Sequence, residues 1–177
     1  MSLEIEIKSK IHDLSEVTKR LLSLNPAFIS EENHLDIYFN HPLKDFAKTD
    51  EALRIRSIND SAVITYKGPK LSTRSKARKE IETHISSALE CTEIFKSLGF
   101  IEVAKIEKSR KIYQYENITI CLDSVKGLGS YLELEKISDD ISKSETELYA
   151  FGKQLGLTEY IQTSYLELIL SKNEKKR

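Results

Sequence analysis

The sequence lacks any apolar run that approaches the roughly 18 residues of a membrane-spanning helix. Its start is acidic and has neither the basic flank nor the apolar block of a secretory signal, so we expect a cytoplasmic protein with no membrane partner. It contains only two cysteines, Cys91 and Cys121, which lie far from any Cys-x-x-Cys or histidine ligand spacing. We therefore expect neither a disulfide framework nor a zinc site, and we interpret both cysteines as small apolar residues.

The sequence also lacks an excess of charge of one sign. Its 27 basic and 28 acidic side chains give a net charge of −1, whereas proteins that coat nucleic acid usually carry a strong basic excess. Gly127 and Gly129 are followed by neither the Lys-Ser/Thr of a P-loop nor a third glycine of a dinucleotide pattern. We therefore expect no nucleic-acid partner, and the functional signal must lie in the placement of the charges.

The 177 residues fit one domain, which we place at 1–171, followed by a basic tail at 172–177 that we expect to fray.

Helical patterning is confined to a few segments of the chain. Three segments open with the capping pattern Ser/Asp-x-x-Glu and continue with apolar residues at helical spacing. These helices are expected to start at Asp13, Ser87 and Ser142, and a shorter one is expected over 165–170.

Between the helices, apolar and polar residues alternate with a period of two, which is typical of strands whose two faces differ. Asn59-Asp60 and Glu116-Asn117 have the composition of hairpin turns, so we expect a largely antiparallel sheet. We place the strands near 2–9, 27–32, 34–40, 51–58, 61–67, 73–85, 101–114, 117–125 and 130–137.

One face of these strands is charged. In the first strand Glu4, Glu6 and Lys8 alternate with apolar residues, and the same alternation recurs along the chain. The basic positions on this face are Lys8, Arg54, Arg56, Lys67, Lys76, Arg78, Lys108 and Arg110. The acidic positions are Glu4, Glu6, Glu80, Glu82, Asp123, Glu133 and Glu135.

This pattern favours a sheet whose charged face points inward, because the amphipathic helices are available to cover the apolar face. We predict an α+β fold, in which an eight-stranded antiparallel closed β-barrel has helices packed on its outside and charges in its bore. Two other interpretations remain open. Each polar face could lie in solvent, or the two signs could pair as structural salt bridges.

The mixture of signs predicts the class of ligand. Cationic groups would attract a polyanion, and arginine binds phosphate oxygens in a bidentate manner. The carboxylates would repel the same anion unless a cation lies between them, and hard oxygen ligands are what Mg²⁺ or Mn²⁺ requires. We therefore predict that the bore binds a metal-bound polyphosphate.

A series of short motifs runs in order along nearly the whole chain. It begins with Glu4-Ile5-Glu6-Ile7-Lys8. It continues with Asp36-Ile37-Tyr38-Phe39, Leu53-Arg54-Ile55-Arg56, Thr65-Tyr66-Lys67-Gly68-Pro69, Arg78-Lys79-Glu80-Ile81-Glu82, Lys108-Ser109-Arg110, Leu132-Glu133-Leu134-Glu135 and Ser164-Tyr165-Leu166-Glu167-Leu168. Together these resemble the CYTH domain, whose members are the triphosphate tunnel metalloenzymes and whose signature is ExExK. Asn40 departs from the family pattern, which has Asp at this place.

The resemblance implies an eight-stranded tunnel, a divalent metal and chemistry at a triphosphate. It implies catalytic roles for Glu4, Glu6 and Lys8, with Lys8 orienting an attacking water or a phosphate oxygen. The implied phosphate-binding residues are Arg54, Arg56, Lys67, Lys76, Arg78, Lys108 and Arg110. The implied metal ligands are Glu4, Glu6, Glu133 and Glu135, with help from Glu80, Glu82 and Asp123.

The same cationic clamp and metal serve two reactions. The Tyr-Lys-Gly-Pro run at 66–69 and the segment after it resemble the class IV adenylate cyclase branch of the family, in particular its archaeal and thermophile-type members. We therefore expect conversion of ATP to cAMP and pyrophosphate. The alternatives are a triphosphatase acting on tripolyphosphate, thiamine triphosphate or nucleoside triphosphates, and a non-catalytic protein that binds polyphosphate or nucleotides. The sequence identifies no adenine pocket and leaves a homodimer possible.

Overall fold

The structure is a computed structural model that describes residues 3–175. The expected first residue of the first strand, Ser2, and the last two residues of the expected basic tail, Lys176 and Arg177, lie outside the described residues. Among the described residues, no helix is both long enough and apolar enough to cross a membrane.

The chain forms eight strands and five helices between residues 3 and 175. The strands are β1 (Leu3–Ile11), β2 (Ala27–Asn40), β3 (Ala52–Ile58), β4 (Ser61–Lys67), β5 (Glu80–Ile85), β6 (Ile101–Tyr115), β7 (Ile118–Val125) and β8 (Gly129–Ser138). The helices are α1 (Leu14–Ser23), α2 (Phe46–Thr49), α3 (Ala88–Ser97), α4 (Ile141–Gln154) and α5 (Tyr165–Glu174).

The eight strands belong to one sheet in the order β1-β8-β7-β6-β2-β3-β4-β5. Every pair whose register is resolved is antiparallel. The α+β class and the eight-stranded antiparallel sheet are therefore confirmed. The closed barrel is wrong, because the order starts at β1 and ends at β5, which are the two edges of an open sheet.

The chain divides into two compact units. The first contains residues up to Glu31, Leu71–Arg78 and Ser109–Gln162. The second contains Glu32–Lys70, Lys79–Lys108 and the residues from Thr163 onward. The prediction of a single domain over 1–171 stays a prediction.

Each unit has its own apolar core. In the first unit, the apolar faces of β1, β7 and β8 pack with α4, and Ile5, Leu134 and Leu148 are completely buried there. In the second unit, α3 packs on β3, and Phe39 contacts Phe95 edge to face with ring centroids 5.3 Å apart. The apolar sides of β1, β8 and β3 are thus covered by helices, which leaves their charged sides for other contacts.

The turns and caps follow the sequence closely, with one exception. Asn59 and Glu116 have positive φ angles of 49° and 51°, as the expected hairpin turns require. Asp13 and Ser87 cap α1 and α3 as expected. However, the cap of α4 lies two residues before the expected Ser142, because Asp140 accepts a hydrogen bond from the amide of Lys143 at 3.0 Å.

The expected strand at 73–85 begins only at Glu80, and this explains the open edge of the sheet. Residues 72–78 instead form a loop that follows β1. The amides of Lys76 and Arg78 donate to the carbonyls of Glu6 and Glu4, and Arg78 makes an isolated β-bridge with Glu4. Two bonds of this kind do not make a ladder.

The loop is held away from regular strand geometry by Glu145 of α4, which is only 3% exposed. Its Oε1 accepts hydrogen bonds from the hydroxyls of Ser72 and of Ser75, the latter at 2.8 Å. The Arg74 guanidinium lies 3.5 Å from Oε2. Glu145 is therefore an anchor for the loop and not the capping-box residue that its spacing from Ser142 predicts.

The remaining differences are small. The segments expected at 27–32 and 34–40 are one continuous strand, β2. The last helix continues to Glu174, four residues beyond its expected end, with a complete capping box between Ser164 and Glu167. The part of the basic tail that the structure describes is therefore mostly helical.

The anchoring role of Glu145 predicts a local loss of stability on substitution. Glu145→Ala should lower the free energy of unfolding by about 1–3 kcal/mol, because Ser75 would keep a buried hydroxyl without its acceptor. Amide exchange in residues 72–78 should accelerate more than in the sheet. Glu147→Ala on the same helix, which removes a carboxylate that is 38% exposed, should cost less than about 0.5 kcal/mol. Equal losses for the two variants would contradict the anchor.

Candidate active site

The register of β1 on β8 brings the first and last charged motifs together. Glu6 lies opposite Glu135, and Lys8 lies opposite Glu133. Residues directly opposite each other in an antiparallel pair point to the same face. The apolar residues between them belong to the core of the first unit, so their burial fixes the register and the charged residues share the other face.

Three carboxylates converge on this face. One oxygen from each of Glu4, Glu6 and Glu135 lies within 4.8 Å of the other two. The pKa of Glu135 is raised to about 8, mainly by burial. Arg110 lowers this pKa, and the negative charges of Glu4 and Glu133 raise it further. The group therefore carries repulsion that a bound cation would relieve.

The donor set fits a hard divalent cation. Carboxylate oxygens are the ligands that Mg²⁺ and Mn²⁺ prefer, and opposite oxygens in an Mg²⁺ shell lie about 4 Å apart. The oxygens of Glu4, Glu6 and Glu135 lie within 4.8 Å of one another, which is near that distance. Glu4, Glu6 and Glu135 are therefore the residues that would hold the metal.

Arg110 of β6 lies beside these carboxylates and is 7% exposed. It donates two hydrogen bonds of 2.6 Å to the two oxygens of Asp123, a third to Glu133, and a longer one of 3.4 Å to Glu135. Asp123 and Glu133 thus neutralise Arg110, and neither belongs to the group of three carboxylates. Their predicted role as metal ligands stays a prediction.

Two lysines complete the charged face of the first unit. Lys76 Nζ donates to Glu6 Oε1 at 2.6 Å. Burial lowers the pKa of Lys76, but the negative charges of Glu6 and Glu133 outweigh this effect and raise the pKa above its usual value. Lys8 is 1% exposed, and its Nζ lies 3.8 Å from Glu133. Burial and the nearby charge of Lys76 lower the pKa of Lys8 to about 7. Arg78, also predicted to bind substrate, is buried with its amide bonded to Glu4.

The second unit has its own charged cluster on β2, β3 and β4. Arg56 makes a bidentate pair with Asp36 at 2.6 and 2.7 Å. Arg54 donates to the Thr65 hydroxyl at 2.9 Å, and its buried Nε makes no hydrogen bond with the described residues. The Arg56 contact lowers the pKa of Asp36 well below its usual range, against the effect of burial.

The other predicted site residues of this unit are placed around that cluster. Lys67 pairs with Glu80, and Glu82 lies 3.6 Å from Arg54 while remaining half exposed. Lys108 is buried, with its Nζ 5.2 Å from the centre of the Tyr165 ring. Glu80 and Glu82 contact cations in this unit, so their proposed metal-binding role also stays a prediction.

Sequence reasoning missed Asp36 and Cys121 as residues of the charged faces. His34, Asp36 and Tyr38 occupy every second position of β2, and all three are buried on one face. This period of two is the sequence signal that could have placed Asp36 on that face. Cys121 lies opposite Glu133 and is 1% exposed, so it faces charged groups as well as apolar ones. Burial raises the pKa of its thiol well above the usual value.

Asn40 has a structural role where the family pattern has Asp. Its side-chain oxygen accepts hydrogen bonds from the amides of His41 and Phe46, at 3.1 and 2.8 Å. Its amide nitrogen donates to Asp45, which caps α2. A carboxylate here could not make that donation.

The carboxylate group predicts a pH dependence of stability in the absence of metal. The pKa of Glu135 is raised from 4.5 to about 8 by folding, so its stabilising contribution is complete below pH 4.5 and is lost as the pH rises through 8. In EDTA, Glu135→Gln should therefore gain on the order of 1 kcal/mol relative to the wild type between pH 5 and pH 9. Glu93→Gln, on the exposed side of α3, should show no such gain. Parallel stability curves for Glu135→Gln and wild type would contradict the repulsion.

Comparisons with known proteins found similar sequences and structures. The CYTH domain model matches residues 2–165. The chain is 44% identical over 171 residues to Putative adenylate cyclase MJ0240 of Methanocaldococcus jannaschii, covering 94% of this chain and 98% of the relative. It is 39% identical to the PH1819 protein of Pyrococcus horikoshii, whose structure superposes with a TM-score of 0.89 and covers 96% of this chain and 99% of that chain.

A more distant solved structure shares the fold alone. Putative adenylyl cyclase HpAC1 from Hippeastrum is 22% identical, has a TM-score of 0.72, and covers 97% of this chain and 96% of that chain. The resemblance expected from the ExExK motif is confirmed by the family match. The chain belongs to the CYTH domain family.

Proposed function

We propose that the protein is a metal-dependent enzyme that acts on a triphosphate. The observation that carries the proposal is the convergence of Glu4, Glu6 and Glu135 within 4.8 Å beside the buried cations Lys8, Lys76 and Arg110. A protein that only bound an anion would be weakened by these carboxylates, whereas a metal-bound triphosphate needs both signs. The family membership supports the same class of substrate.

The chain's own groups have separate tasks in this proposal. A bound Mg²⁺ or Mn²⁺ would neutralise charge that develops on phosphate oxygens. Lys76 and Arg110, now bonded to Glu6 and Asp123, would contact phosphate oxygens. Lys8, which is nearly inaccessible to solvent, would orient the attacking oxygen or a phosphate oxygen. Their burial keeps water away and makes each charge more effective.

The basic residues of the second unit are also proposed to bind phosphate. Arg54 is the strongest candidate, because its buried Nε makes no hydrogen bond with the described residues. Arg56 donates from Nε and Nη2 to the two oxygens of Asp36, so its first role is to hold that carboxylate. Lys67 and Lys108 would add positive charge.

The reaction we propose first is the cyclisation of ATP to cAMP and pyrophosphate, because the 44% identical relative bears the name Putative adenylate cyclase MJ0240. The alternative is hydrolysis of tripolyphosphate, thiamine triphosphate or a nucleoside triphosphate. It is supported by the Hippeastrum protein, which is described as having a dominant triphosphatase activity. Non-catalytic binding of a polyphosphate is the second alternative, and the carboxylate group weighs against it.

Product analysis distinguishes these reactions. Purified protein incubated with ATP or with tripolyphosphate, each with Mg²⁺ or Mn²⁺, should release cAMP and pyrophosphate from ATP. Orthophosphate without cAMP would replace the cyclase by a triphosphatase. Tight binding with no product from either substrate would contradict the enzyme and favour the non-catalytic alternative. EDTA should abolish all turnover.

Removing one carboxylate should separate turnover from binding. Glu4→Gln should reduce kcat by about 100-fold or more, as expected when an electrostatic group at the reacting centre is lost. Tripolyphosphate binding, measured by calorimetry, should change far less because the cations remain. Glu102→Gln, near the start of β6, where the carboxylate pairs with Lys96 and Lys105, should leave kcat within about twofold of wild type. An unchanged kcat for Glu4→Gln would contradict the proposed metal site.

A further inference from the structure

A cavity of about 280 Å³ lies in the first unit, beside the proposed phosphate-binding groups. By the volume that liquid water occupies, it would hold about nine water molecules, a number close to the ten or so non-hydrogen atoms of a purine base. It is lined by β1, by the loop at 73–76, by α4 and by residues 160–162. It lies wholly within one compact unit.

The walls of this cavity have two chemical characters. One part is charged and consists of Glu6, Lys8 and Lys76, of which Lys76 donates a hydrogen bond to Glu6. The other part is aromatic, where Tyr149 and Tyr160 pack edge to face with ring centroids 4.7 Å apart. Small-molecule sites commonly join an apolar wall to a few placed polar groups in this way.

Backbone hydrogen bonds hold the aromatic part in place. The amide of Ile161 donates to the carbonyl of Lys8 at 2.8 Å, and the Ser9 hydroxyl donates to the carbonyl of Glu159. The Tyr160 ring lies over Gly152 of α4, where a Cβ would approach its hydroxyl to 2.4 Å. The wall is therefore preformed, and glycine at 152 is what allows the ring to lie so close to the helix.

Gln162 supplies a directional polar group. Its side-chain nitrogen donates to the carbonyl of Thr73 at 2.8 Å, which joins the two sides of the cavity. Because that bond fixes the nitrogen side of the amide, the Oε1 atom is the side that can accept a further hydrogen bond. An exocyclic amine on an aromatic base is a matching donor.

We propose that this cavity binds the base of a nucleoside triphosphate, with the base against Tyr149 and Tyr160 and the phosphates at Lys8 and Lys76. Such a ligand has an anionic end and a neutral aromatic end, and the two parts of the cavity wall match them in that order. The inference rests on the proposed function and adds to it the place where the base binds, since tripolyphosphate would leave the aromatic part empty.

Equilibrium binding tests the proposal without dependence on the reaction. Wild type and variants are titrated in a calorimeter, at saturating Mg²⁺, with tripolyphosphate and with a non-hydrolysable ATP analogue. Tyr160→Ala should raise the ratio of the analogue Kd to the tripolyphosphate Kd by about tenfold, the size expected when a base loses an aromatic partner. Tyr160→Phe keeps the ring and should change that ratio by less than about twofold.

Two further variants keep the test valid if Tyr160→Ala unfolds. Gln162→Ala should raise the same ratio by about fivefold through loss of one hydrogen bond. Gly152→Ala should raise it too, by displacing the Tyr160 ring. A ratio that stays unchanged in all folded variants, while wild type binds both ligands, would overturn the base site and leave the proposed function intact. Failure of wild type to bind tripolyphosphate with Mg²⁺ would instead overturn the proposed function.

Discussion

Repulsion among Glu4, Glu6 and Glu135 is the constraint on which the charged face of the first unit depends. The β1–β8 register places Glu6 directly opposite Glu135, and like charges at such positions are destabilising. The apolar residues between them cannot turn outward without exposing the core. The sheet therefore holds the carboxylates together although their repulsion lowers the stability of the fold. Burial and neighbouring charge raise the pKa of Glu135 to about 8 as a result. A site that stores repulsion in this way is prepared to receive a cation.

The buried basic groups compensate for this repulsion without removing it. Lys76 bonds Glu6, and Arg110 is shared among Asp123, Glu133 and Glu135. Burying many ions contributes little stability compared with an apolar core of the same volume. The proposed function explains the arrangement better, because each cation would transfer its contact from a carboxylate to a phosphate, and a bound metal would neutralise the carboxylates in its place. The loop at 72–78 matters for this exchange because it carries Lys76, and Glu145 holds the loop in place.

Much of this could be predicted from the sequence, and what could not has identifiable causes. The alternation of Glu4, Glu6 and Lys8 revealed the charged face, because the strand period is exact wherever one face is buried. The loop at 72–78 could not be predicted, since its sequence also suits a strand and only the tertiary contact with Glu145 decides between them. The open sheet edge follows from that loop. The partners of Arg110 needed the strand order, which local pattern does not contain. The cavity is formed by four segments distant in sequence.

Crystals soaked with Mn²⁺ and tripolyphosphate would test the central claim most directly. The account predicts an anomalous difference peak coordinated by oxygens of Glu4, Glu6 and Glu135, with phosphate oxygens contacting both the metal and Lys76. Phosphate density elsewhere, or a metal peak that these three carboxylates do not coordinate, would contradict it. Either result would also show whether Lys76 leaves Glu6 when the anion binds, as the exchange of partners requires.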